Sequence, residues 1–252
     1  MVAGGNGILV TSSLKTPRPG VARAVAHRLC WLGVLSCLPA LAAAQQFSSC
    51  GSLDNGAGYG PFDIRTALPD QKQLVEGAHF TAVVEALIRG VTARLPGGDI
   101  DYTLRAFPNH HRALLATVRL AQRDKTEQPS GMRYTVDCWF DRAIRFRPND
   151  PVVRMLYVRW LAPRGQREEA MRHLAAAETV AADNAFTHYN LGLSYLELGE
   201  HEKALNKAHV SRALGMQRTE LADALRAAGR WKDPPAAQAA EPAASAASSA
   251  AG

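Results

Sequence analysis

The chain has 252 residues, 47% of them apolar and 21% charged, which excludes wholesale disorder and leaves room for one packed domain or two. Its formal charge is +6, yet Lys15, Arg18, Arg23 and Arg28 all fall within positions 1–44, a stretch that holds no acidic residue. Without that stretch 25 basic residues face 23 acidic ones, too even a balance to hold a nucleic acid by neutralising its phosphates.

Residues 1–44 read as an export signal. A basic stretch ends at Arg28, an apolar run follows from Leu29 to Ala44, and Ala42-Ala43-Ala44 offers small residues before the polar Gln45-Gln46. Pro39 interrupts the run, which falls short of the roughly 20 residues a spanning helix needs. Cleavage with no membrane span afterwards is therefore the expectation, and retention as an anchor the alternative. The mature chain then keeps Cys50 and Cys138. In an oxidising compartment the two are expected to form one disulfide, closing a loop of about 90 residues and contributing roughly 4–5 kcal/mol in the chain-entropy model. Two unrelated buried thiols are the other reading.

Residues 45–70 are polar and punctuated by Gly51, Gly56, Gly58 and Gly60, which predicts an irregular arm. From Gln71 to Val91, Leu74, Val75, Phe80, Val83, Val84, Leu87 and Ile88 recur at helical spacing, and Leu95-Pro96-Gly97-Gly98 ends that helix. Ile100, Tyr102 and Leu104 alternate with Asp101, Thr103 and Arg105, which predicts an extended segment. Asn109 after Pro108 is the expected N-cap of a helix over 109–123, and a second helix is expected over 132–146 beyond the polar loop Glu127–Gly131. Residues 233–252, with ten alanines and Pro234, Pro235 and Pro242, are expected to be a disordered tail.

After Pro151 the chain repeats itself. Gly165-Gln166-Arg167-Glu168-Glu169-Ala170 recurs as Gly199-Glu200-His201-Glu202-Lys203-Ala204, and the same offset separates Ala177 from Ala143 and Ala182 from Pro148. A constant period of about 34 residues with paired helices is a mark of helical repeats. With these residues the chain resembles the tetratricopeptide-repeat family. In the unit 185–218, His188, Leu191, Gly192 and Tyr195 occupy the family's signature positions in the first helix, with Gly199 in the turn and Ala204 in the second. The unit 151–184 has Tyr157-Val158 where Leu-Gly is usual. The unit at about 109–150 keeps Phe140, Ala143 and Pro148, and aligns Leu114-Leu115 only with about nine extra loop residues. The resemblance implies an all-α fold: a short helical solenoid of about three helix pairs within 71–232, capped by helices at 71–91 and 219–231. Residues 101–112 are also similar to a stretch of uncharacterised exported tetratricopeptide proteins of Gram-negative bacteria, which implies the periplasm and no particular activity.

By the family's geometry the first helices line a concave groove. Here it would present Val152, Met155 and Arg159, then Phe186, Tyr189 and Leu193, with Arg112 and Arg119 from the earlier unit. Aromatics beside arginines suit a partner surface, so the expected ligand is an envelope protein or peptide, acidic or aromatic in character. Met155 and Leu193 stand where clamps for a C-terminal carboxylate carry polar groups, which argues against that ligand. A groove filled by the chain's own arm or capping helix is the competing expectation.

Catalytic chemistry has little support. His110-His111 point about 100° apart on a helix, whereas zinc helices use i and i+4. A metal-dependent reading through His79, His110, His111 and Asp101 is therefore secondary, and no metal or cofactor is expected. Asp99-x-Asp101 suits turn and cap chemistry. No phosphate loop or Gly-x-Ser-x-Gly elbow is present.

Overall fold

A computed structural model describes residues 50–55 and 58–234. The expected export signal and nearly all of the expected tail lie outside those residues. Among the described residues every regular element is helical, and no helix is long and apolar enough to cross a membrane.

The described arm residues 51–55 and 58–68 are irregular, and α1 (Pro69–His79) starts with a proline at its first position, where no N–H is needed. The helix expected over 71–91 is broken. It ends where Phe80 turns its ring into the core, and only the single turn α2 (Ala82–Glu85) follows. Beyond it the buried Asp99 carboxylate takes the N–H groups of Val91, Thr92 and Ala93, so the backbone there is satisfied without a helix.

The extended segment expected at 100–105 is instead part of α3 (Pro96–Ala106). The alternation misleads because two of its polar members, Asp101 and Thr103, are buried too. Asp101 accepts the N–H of Arg133 at 2.8 Å, and the Thr103 hydroxyl donates to the carbonyl of Asp99 one turn earlier. Ile100 and Leu104 then share one fully buried face. The N-cap of α4 (His111–Asp124) is His110, whose Nδ1 accepts from the N–H of Ala113 at 3.1 Å; Asn109 beside it has another task. The next helix, α5 (Val136–Phe146), is shorter than 132–146 because Thr135 caps it at Cys138.

Two helix pairs complete the chain: α6 (Pro151–Leu161) with α7 (Arg167–Glu178), and α8 (Ala185–Glu197) with α9 (His201–Ala213). Pro151 and Ala185, Arg167 and His201, and the N-caps Asp150 and Asn184 are each separated by the same repeat period. Gly165 and Gly199 both have φ of 73°, the left-handed conformation that ends the first helix of each pair. Side chains tie neighbouring elements together. The Tyr157 hydroxyl and Trp160 indole both donate to Asp137 of α5, at 2.9 and 2.8 Å. Glu178 of α7 accepts from Tyr195 of α8 at 2.9 Å and pairs with the buried Lys207 of α9.

The last helix, α10 (Glu220–Ala227), packs on α8 and α9 and is shorter than the capping helix expected at 219–231. One core runs from Phe80 to Leu225, with Ile100, Leu114, Trp139, Phe140, Leu174, Leu191 and Tyr195 nearly or fully buried. At Gly192 a Cβ would lie 2.3 Å from the Leu221 side chain and 3.3 Å from Cβ of Lys207, so three helices meet at that glycine. Leu191→Ala is expected to lower unfolding free energy by roughly 2–5 kcal/mol. Gly192→Leu is expected to lower it by about 1–3 kcal/mol through overpacking. Urea unfolding of each variant measures both.

Candidate functional site

A cleft of about 280 Å³ opens between α6 and α8. Val152, Met155, Leu156 and Leu193 make it apolar, and Phe186, 53% exposed, stands at it. Arg159, Asn190, Ser194 and Glu197 complete the lining. Asn190 and Ser194 donate to backbone carbonyls of their own helix, at Phe186 and Asn190. Arg159 and Glu197 are both exposed, and neither is held in an ion pair among the described residues. Arg159 lies in the last turn of α6, where the helix dipole favours a cation, whereas Glu197 ends α8, where the same dipole disfavours a carboxylate.

Of the residues expected in the groove, Val152, Met155, Arg159, Phe186 and Leu193 come together here. Tyr189 does not: it is 2% exposed, and its hydroxyl donates to Glu220 of α10 at 2.9 Å. Burial and that carboxylate both raise its pKa. α10 covers the side chain that was expected to be open in the groove. Arg112 is also engaged elsewhere, paired with Glu85 and stacked over the Phe80 ring. Arg119 is exposed on α4 and does not line the cleft. Leu156, Asn190, Ser194 and Glu197 were missed. Three of the four follow from helical spacing, one turn after Val152, Phe186 and Leu193.

The arm packs against the other end of the fold. Cys50 and Cys138 form a disulfide, with an S–S distance of 2.04 Å. The buried Arg142 donates to the carbonyls of Cys50 and Ser52 and lies over the Tyr134 and Trp139 rings. Arg145 donates to the Gly51 carbonyl at 3.0 Å. Farther along, Tyr59, Phe62 and Ile64 cover Val75 and Phe107. None of the described arm residues lines the α6–α8 cleft.

A buried polar hub fixes the arm to the starts of α4 and α6. Asn109, fully buried, donates through Nδ2 to Asp63 at 2.8 Å and to Asp150 at 3.0 Å, while its Oδ1 accepts the N–H of Ile64. Asp150 also meets His111 Nε2 at 2.8 Å, and its other oxygen caps α6 at Val152. Asp63 receives Arg65 at 2.7 Å and Arg147 at 2.8 Å. His110 Nε2 meets Glu76 at 2.8 Å, and His79 Nδ1 meets Asp99 at 3.0 Å. The three histidines are thus each matched to a different carboxylate. Among the described residues no group of three or more His, Cys, Asp or Glu is arranged to hold a metal ion.

The chain matches no protein-family model, no curated protein and no solved structure.

Burial alone would raise the carboxyl pKa values of Asp63 and Asp150. For Asp63 the hydrogen bonds from Arg65, Asn109 and Arg147 outweigh it, and for Asp150 those from His111 and Asn109 with the nearby Arg65 do, so both are held below the usual carboxylate range. Each therefore adds stability that is present above the ordinary value of about 4 and lost as pH falls towards the lowered folded value. Asp63→Asn is expected to weaken the fold at neutral pH and to flatten its acid limb below about pH 4, read from chemical denaturation across pH.

Proposed function

We propose that this chain is an exported tetratricopeptide-type scaffold that binds a peptide segment of another envelope protein in the α6–α8 cleft. The observation that carries the reading is the cleft itself: an apolar floor, the exposed Phe186 ring, and Arg159 and Glu197 both exposed at its lining. A bulky apolar side chain fits among Met155, Leu193 and Phe186. An acidic group of the same segment would face Arg159, and a basic one Glu197, an acid that its own helix end leaves in need of a cation. The arm, docked on α3 to α5, supports an open groove over a self-filled one.

The family reading is supported by the constant offset of helix starts, caps and left-handed glycines across α6–α9. Export is supported by the Cys50–Cys138 bond, since such bonds persist in oxidising compartments.

The test is capture from envelope extract by the wild-type chain and by Arg159→Glu/Phe186→Ala, followed by direct titration of the captured segment. Loss of both an aromatic anchor and a charge partner is expected to weaken binding at least about tenfold. Equal titration curves for the two proteins would refute the cleft as the site. Both changes fall on exposed side chains, so equal melting temperatures are expected and exclude unfolding as the cause.

A further inference from the structure

Residues 86–95 join α2 to α3 without regular structure, and three features fix their backbone. Leu87 has φ of 60°, a conformation rare for a side chain of its size. Gly90 is packed so closely that a Cβ would lie 2.1 Å from the carbonyl oxygen of Ala93. The fully buried Asp99 accepts the N–H groups of Val91 at 2.7 Å, Thr92 at 3.2 Å and Ala93 at 3.1 Å. Leu87 packs against the core, yet this firmly held loop turns its other large aliphatic side chains to solvent: Ile88 is 71% exposed, Val91 45% and Leu95 43%. A loop shaped only for stability would bury such residues or replace them with polar ones.

The loop's own charge has one sign. Arg89 and Arg94 are the charged residues between 86 and 98, and both are exposed. Arg123 of α4 donates to the Leu87 carbonyl at 2.7 Å, and the exposed Arg119 lies one turn before it on the same helix. The neighbouring carboxylates Glu85 and Asp124 are each paired with an arginine, Arg112 and Arg123.

We infer that this loop docks the protein on an anionic phospholipid surface. Ile88, Val91 and Leu95 enter the boundary between headgroups and acyl chains, and Arg89, Arg94 and Arg119 face lipid phosphates. Protruding aliphatic residues ringed by arginine fit a soft, flat, negatively charged apolar boundary. A protein partner is favoured less, because its contacts are usually anchored by aromatic residues, and none occurs between 86 and 98.

The test uses the full chain with vesicles of phosphatidylglycerol and phosphatidylcholine, or of phosphatidylcholine alone. Flotation is expected to favour the anionic vesicles and to weaken with salt. Arg89→Glu/Arg94→Glu is expected to lower the partition coefficient at least about tenfold. Because residues 29–44 are themselves apolar, a second readout isolates the loop. Ile88→Trp adds emission that phosphatidylglycerol brominated on its acyl chains is expected to quench, beyond any quenching of the parent chain. No added quenching, whatever the flotation, overturns the inference. An unchanged partition of the arginine variant overturns it as well. Either result leaves the cleft reading untouched.

Discussion

A carboxylate with no solvent contact sits where the two halves of this fold meet. Asp150 must be compensated by donors from several directions, since a buried charge stripped of partners destabilises by several kcal/mol. Its donors come from the arm through Arg65, from the start of α4 through Asn109 and His111, and from the first turn of α6. Asn109 extends the arrangement to Asp63 and so to Arg147 at the end of α5. Moving any one of these segments would leave another polar group buried and unmatched. That mutual dependence sets the relation between the irregular N-terminal half and the repeated helix pairs.

Asp99 does similar work at smaller scale. One fully buried side chain satisfies three consecutive backbone N–H groups and a histidine, which lets a loop exist where hydrophobic spacing alone predicts a helix. Polar groups under the surface thus decide the local conformation of residues 86–105, and this is why that region was hardest to read. Periodicity registers apolar residues at regular spacing. It does not register that Asp101 and Thr103 are buried beside Ile100 and Leu104 and bonded there.

The repeated half was more legible because its geometry is local. A glycine in left-handed conformation, a side-chain cap before the first helix of each pair and small residues at crossings recur at fixed spacing, so the two helix pairs between 151 and 213 leave their period in the sequence. What spacing could not supply was the effect of the terminal helix. α10 packs over Tyr189 and removes from the surface a side chain that an uncapped pair would present. The cleft residues Leu156, Asn190 and Glu197 were within reach of the same helical spacing and needed only the full face to be counted.

The covalent bond between Cys50 and Cys138 also determines how the molecule would bear mechanical load. A pull on the chain ahead of residue 50 passes straight through sulfur into α5, bypassing residues 51–137. Asp63, Asn109, the arm's packing and the 86–95 loop lie within that bypassed segment, while Arg147, Asp150 and α6 to α10 lie beyond the junction. A tether at the N-terminal side would therefore load the α5 attachment first and leave the backbone through Asp63 and Asn109 off the line of force, joined to the loaded segment only through Arg147 and Asp150.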